Sequence, residues 1–471
     1  MQFPYVEVEL ESTGAIHDDG QRRAALELAA RPGTTDLLVL CHGWNNDIPQ
    51  ARRLYARLTD HLAAVRPAVP AAATRSLAVI GVLWPSIRWT DDDPVAGGGA
   101  GFGDGTGFGA EAAALAEEIG TRIEDPGRAA RLIRLVPRLA DSSEARREFL
   151  DTLREQLPPP PAAPDPGIMT VDEDPPPAAL RHGEPDRVFA EAGGPEFDPG
   201  LPERPGGAAV SDLGGPAPSS SARPGVGRPA EPDLGGATAG FTPGAVAASD
   251  LGGAVGLDLD GAVRRARDLL NVTSYYTMKD RAGKVGAGGV ATLLAGLAGV
   301  APGARLHLAG HSFGARALAA AGAKHLAVHS VTLLQAAFSH HGFAVDFDGR
   351  GHHGLFRPLL TSGRMTGPLV ITHTVNDRAV GLAYALASRL ARQAGAGVGD
   401  ANDPYGGLGR NGALKTPEVF QPAGDLQEVG GGYAFRPGRV HNLRADTFIR
   451  SHSDVSSPQV GYALLNALCT V

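Results

Sequence analysis

Only two cysteines occur in the 471 residues, Cys41 and Cys469, far apart in the chain. A secreted disulfide framework is dense in cysteine, so this pattern excludes one and points to reduced thiols in a cytoplasm. Basic excess is lacking as well: 43 Lys and Arg face 51 Asp and Glu, a net charge of -8. Without a basic field nothing holds a phosphate backbone or an anionic lipid surface, so nucleic acid is not an expected partner. The opening segment MQFPYVEVELEST has neither the basic start nor the apolar run of a signal peptide, and no stretch reads as the roughly 18 apolar residues of a membrane span. The expectation is a cytoplasmic protein without a transmembrane segment.

Two site chemistries are also missing. DRAGKVGAGG lacks both the first glycine at the right distance and the hydroxyl after lysine of a G-x-x-x-x-G-K-[ST] phosphate loop, which disfavours nucleotide hydrolysis. The pairs His340-His341 and His352-His353 join no recognised ligand spacing and have no cysteine nearby. No metal and no cofactor is expected.

Glycine and proline are plentiful: 64 Gly and 37 Pro exceed a fifth of the chain, while 43% apolar residues suffice for a sizeable core. Short apolar runs at 36–41, 77–84, 305–310, 330–336 and 368–375 read as buried parallel strands. Helical spacing lies between them, as at Ala51, Leu54, Tyr55, Leu58 and Leu62, and again at Leu382, Ala385, Leu386 and Leu390. Strand alternating with helix predicts an α/β fold with a mostly parallel central sheet flanked by helices.

The middle of the chain breaks this rhythm. Residues 1–90 read as the first part of the core. Residues 91–157 read as a glycine-rich loop and a helical cap, with helices near 110–121, 127–139 and 142–157. Residues 158–260 are so rich in Pro, Gly and Ala, and so poor in large apolar side chains, that the expectation is a disordered insertion. The second part of the core, 261–471, opens with a helix over 261–275, then YYTMKDRAGKVG, then a helix to about 300.

Gly310-His311-Ser312-Phe313-Gly314 matches G-x-S-x-G, follows an apolar strand and opens a small-residue helix. That order makes Ser312 a candidate nucleophile on a sharp turn, with Gly310 and Gly314 leaving room where backbones meet. Cys41-His42-Gly43-Trp44-Asn45-Asn46 follows the strand 36–41, where a loop can supply half of an oxyanion hole. The N–H groups of Trp44 and Phe313 are assigned as its donors. Gly43 supports that loop, His42 is read as a structural histidine within it, and Asn45 and Asn46 as caps of the next helix.

A serine needs a base, and the base an acid to set its tautomer. With the order Ser, acid, His, Asp377 after PLVITHTVND is the leading acid, with Asp346 and Asp348 as alternatives. His452, in a loop after VHNLRADTFI, is the leading base. His373 and His441 lie in or beside strands, where buried structural histidines are common. Asp454 is read as a cap of the closing helix. Trp84, Trp89, Tyr275, Tyr276 and Met278 are candidates for an acyl pocket, with core packing as the alternative. Lys279 and Arg281 are candidates to meet an anionic substrate group, or simply solvated charges on a turn.

HGWNN, WPS at 84–86, GHSFGAR, HTVNDRAVGLAY and SHSDV together resemble the α/β-hydrolase superfamily, closest to bacterial serine esterase and lipase-like members with an HGWNN or HGFNN loop. The resemblance covers about 1–90 and 261–471. It implies the α/β-hydrolase fold, Ser312, Asp377 and His452 as a triad, and Trp44 with Phe313 as oxyanion donors. The activity expected is cleavage of a small-molecule or lipid carboxylic ester through an acyl-enzyme; amides, thioesters and acyl transfer use the same machinery. The rival expectation is a non-catalytic scaffold of the same fold that recruits partners through the Pro/Gly tract.

Overall fold

A computed structural model describes residues 2–44, 47–86, 110–160, 170–172, 174–192, 259–324, 327–377, 380, 390 and 406–471. Its strands are β1 (Tyr5–Glu9), β2 (Asp36–Cys41), β3 (Leu77–Leu83), β4 (Thr170–Val171), β5 (Arg305–His311), β6 (Ser330–Leu334), β7 (His353–Gly354), β8 (Leu369–His373), β9 (Gly424–Asp425) and β10 (Val440–Arg444). Eight form one sheet in the order β1-β3-β2-β5-β6-β8-β10-β9, every pairing parallel. β4 and β7 pair separately. The five apolar runs seen in the sequence coincide with β2, β3, β5, β6 and β8 to within two residues at either end.

Those strands are apolar throughout because both faces of the sheet are covered. In β2, Leu37, Val39 and Cys41 face one core with the helices Asp19–Ala29, Ala291–Val300 and Phe313–Gly322. Leu38 and Leu40 face the other, against the helices Ile48–Val65 and Pro458–Cys469. This alternation is the two-residue period of a strand, and truncating one of these leucines to alanine typically costs about 2–5 kcal/mol.

From β2 the chain runs to β3 on one side, whereas from β5 it runs to β6 on the other. Neighbouring strands whose connections diverge open a crevice at their carboxyl ends, the usual ligand position in open parallel sheets. Residues 42–44 and Ser312 lie there, directly after β2 and β5.

Three expectations need correction. The segment 261–300 is not two helices around a turn: Leu259–Val285 is one helix, continued by a wide turn at Gly286–Val290 and the helix Ala291–Val300. A Cβ on Gly286 would stand 2.7 Å from the Ala317 carbonyl carbon, so glycine there lets the helix press onto Phe313–Gly322. In the wide turn the Gly289 N–H donates to the Gly14 carbonyl at 2.7 Å. Second, this 42-residue stretch holds a window apolar enough to cross a membrane by length and composition alone, where no such stretch was expected; 44% of that window is buried within the protein.

Third, the Pro-rich tract is not featureless throughout. Helices Ala178–His182 and Pro185–Ala192 bury Leu180, Val188, Phe189 and Ala192. Phe189 meets the Phe149 ring edge-on at 6.1 Å, joining the helices Ala110–Arg122, Pro126–Leu135, Ser143–Arg154 and Leu259–Val285 in one helical layer. A composition average over a hundred residues hides a twenty-residue island of this kind. Residues 193–258 and the glycine run at 97–109 lie outside the described residues, as do Leu382, Ala385 and Leu386.

Candidate active site

Ser312 occupies the bend between β5 and the helix Phe313–Gly322 with φ 56° and ψ -123°. Such a backbone costs about 1–3 kcal/mol in a residue other than glycine and persists only where its surroundings impose it. The Ser312 N–H donates to the Leu334 carbonyl at 3.1 Å, and the Ser312 carbonyl accepts from Ala315 and Ala337 at 3.1 and 3.2 Å. A Cβ on Gly310 would lie 2.7 Å from the Ala315 backbone, and one on Gly314 would run into the carbonyl oxygens of Cys41 and His42.

His452 stands over this bend. The Ser312 hydroxyl donates to its Nε2 at 2.8 Å, and its Nδ1–H donates to Asp377 Oδ2 at 2.9 Å. Asp377 is fully buried, and its carboxylate also accepts from Val380 N–H at 3.1 Å and from Gln335 Nε2 at 3.3 Å. The loop that carries Asp377 is tied to the loop that leads to His452. Thr374 donates to Asp446 at 2.7 Å, and the Asn376 amide donates to the carbonyls of Asp446 and Ile449, each at 3.0 Å.

The loop after β2 closes the other side. A Cβ on Gly43 would lie 2.7 Å from Ser312 Cβ, and the Trp44 ring packs 6.1 Å from that of Phe313. Phe313 opens its helix, so its N–H has no acceptor within that helix and lies at the positive end of the dipole. His42 is buried and stacked on Trp84, accepting from the Trp84 N–H at Nε2 (3.2 Å) and donating from Nδ1 to the Gly43 carbonyl (2.9 Å). Burial pushes its pKa down to about 4, so it is a neutral brace for the loop. Asn45 and Asn46 lie outside the described residues; Asp47 caps the following helix.

The alternatives sit elsewhere. Asp346 and Asp348 are exposed and serve their own turn, through Gly351 N–H at 2.6 Å and His352 at 2.7 Å. His441 is buried and accepts from the Arg436 N–H. His373 lies in β8, with burial lowering its pKa. His340 and His341 are held down to about 3 and 4, chiefly by burial, and no group of three metal-ligating side chains occurs among the described residues. Asp454 does not cap the closing helix: Ser457 does, and Asp454 instead accepts from the Arg450 N–H.

Of the pocket candidates, Trp84 is a core residue whose indole N–H donates to the His42 carbonyl, and Trp89 lies outside the described residues. Tyr275, Tyr276 and Met278 are buried, with the Tyr275 ring 5.2 Å from Phe313. Lys279 and Arg281 are not on a turn but on the buried side of the long helix. Lys279 Nζ donates to Asp172 and Asp174, and Arg281 pairs with Glu124 and donates to the Pro85 carbonyl. Both side chains thus have partners within the protein. Around Lys279, burial opposes both carboxylates; the Lys279 and Arg316 charges outweigh it at Asp172, while Asp174 stays above its usual value.

Gln335, Asn376, Asp446 and His311 take part in this architecture without having been singled out from the sequence. Only His311 had a local signal, its place inside G-x-S-x-G. Compared with protein-family models, curated proteins and solved structures, the chain gives no match in any of the three.

Proposed function

We propose that this chain is a serine hydrolase of the α/β-hydrolase fold that cleaves a carboxylic ester through an acyl-enzyme. The observation that carries the reading is the unbroken hydrogen-bond chain from Ser312 through His452 to Asp377, built on a strained bend at the carboxyl edge of a parallel sheet. As the Ser312 oxygen attacks the ester carbonyl, its proton passes to His452 Nε2, and Asp377 stabilises the imidazolium. The tetrahedral oxyanion is held by the N–H groups of Trp44 and Phe313, each worth about 3 kcal/mol in comparable sites. His452 then protonates the departing alcohol. In the second half, water gives a proton to His452 and attacks the acyl group, and His452 returns that proton to the Ser312 oxygen as the acid leaves. No cofactor enters these steps, and the substrate class is a small-molecule or lipid ester.

A fluorophosphonate probe and a p-nitrophenyl ester series from acetyl to palmitoyl test this. Labelling and turnover that vanish in Ser312→Ala are expected, with the preferred chain length separating esterase from lipase. Folded wild type that neither labels nor turns over any ester overturns the proposal in favour of a non-catalytic scaffold.

A further inference from the structure

The loop that carries His452 has few external anchors. Within 450–454, the Arg450 N–H donates to Asp454 and the Asp454 N–H to the Ser451 carbonyl, so the loop closes on itself. Among the described residues its hydrogen bonds to the rest of the chain are those of the His452 ring and one more: His311 Nε2 lies 2.8 Å from the His452 carbonyl oxygen. The two imidazole rings are 4.9 Å apart at 43°.

We propose that His311 is a positioning residue, whose Nε2–H holds the His452 backbone so that the imidazole meets Ser312 and Asp377 together. The inference rests on reading those three residues as a triad. A carbonyl oxygen only accepts, so Nε2 carries the proton and Nδ1 the lone pair. Nδ1 is buried without a hydrogen-bond partner among the described residues, against the backbone at Gly43, where a Cβ would come within 2.9 Å of it. The ring is thus wedged between the loop after β2 and the loop of the base, with only 5% of its surface exposed. Burial first, and the neighbouring His452 second, hold its pKa at about 3, so it stays neutral when His452 takes up a proton. A neutral donor can sit beside an imidazolium without repelling it. Because His311 directly precedes Ser312, one dipeptide sets both the nucleophile and the height of its base.

Three variants of the full chain decide the matter. In His311→Gln the amide nitrogen reaches nearly as far as Nε2 and still donates; in His311→Asn it falls short; His311→Phe keeps a ring without a donor. The readouts are the fluorophosphonate labelling rate, kcat and KM on an ester the wild type turns over, and the low-field proton resonance of the His452 to Asp377 hydrogen bond. Phe and Asn variants are expected to lose roughly 10- to 100-fold in labelling and kcat, the scale of a misplacement of about 1 Å. KM should stay within about twofold while the Gln variant keeps most of the rate. The low-field resonance should shift or broaden in Phe and Asn and persist in Gln. Wild-type rates and resonance in folded Phe or Asn variants overturn the proposal, as does a Gln variant as impaired as Phe. If Phe fails to fold, the Asn and Gln pair decides alone. Wild type that does not label at all overturns the triad reading itself, a result distinct from either.

Discussion

At the carboxyl end of β5, Ser312 donates to His452 over 2.8 Å and His452 to Asp377 over 2.9 Å; at the amino end of the same strand, His307 joins Ser330 over 2.8 Å and Asp36 over 3.1 Å. Residue types and lengths are nearly alike, but the ring nitrogens are exchanged: Nε2 meets the serine at His452, whereas Nδ1 meets it at His307. The setting differs as well. Ser330 is a fully buried first residue of β6, and His307 and Asp36 are equally sealed, with Thr35 and Arg75 completing the carboxylate's partners. Ser312 stands on a strained bend beside a helix N-terminus and a glycine loop, and the His452 side chain is 18% exposed. Hydrogen-bond distances are shared by both; access and backbone strain set the Ser312 chain apart from the His307 clamp, and the proposed function rests on that difference.

Paired substitutions can break that comparison. Ser312→Ala should abolish labelling and lower kcat at least about 10⁴-fold without lowering the melting temperature, measured by ester turnover and calorimetry. Next in size, Asp377→Asn should cut kcat by about 10⁴-fold by freeing the wrong tautomer of His452, whereas Asp36→Asn should leave kcat alone and cost about 3 kcal/mol in urea unfolding. If Asp36→Asn lowers kcat comparably in folded protein, the two chains are not independent.

Acid sharpens the contrast further. Burial lowers the His307 pKa from 6.5 despite Asp36, so the folded state prefers the neutral ring. The unfolded chain then binds the extra proton first, and this contribution, complete above pH 6.5, is lost as pH falls below it. Asp36 is lowered as well: burial opposes this, but His307, Thr35 and Arg75 outweigh it, so its share is lost only below about 3.8. Between pH 6.5 and 5, stability should fall more steeply in wild type than in His307→Gln, by up to about 1.4 kcal/mol per pH unit. Equal slopes would show that His307 titrates freely. Ser330→Ala should cost about 1–3 kcal/mol of stability for an unsatisfied His307 nitrogen, with kcat unchanged.

Sequence patterning exposed the central strands because parallel strands covered on both faces carry apolar runs without alternation, as LLVLC at 37–41 and LVI at 369–371 do. The edge strand β1 alternates Val and Glu over five residues and leaves no comparable signal. Charges misled most. MKDRAG reads as a turn, yet Lys279 is buried because Asp172 and Asp174, over a hundred residues earlier, come to meet it. The same limit applies at the site: Ser312 is written in a local motif and Asp377 and His452 in chain order, whereas Gln335, Asn376 and Asp446 act only through contacts that folding creates.

The separation of the site along the chain has a consequence in time. The hydrogen bond between Ser312 and His452 spans 140 residues, and that between Asp377 and His452 spans 75. At ribosomal rates of about 5–20 residues per second, the elbow is made roughly 7–28 seconds before the histidine that completes it. For that interval a growing chain carries Ser312 without the imidazole it meets in the fold; under the proposed hydrolase function, the site is switched on by the last strand and loop to arrive.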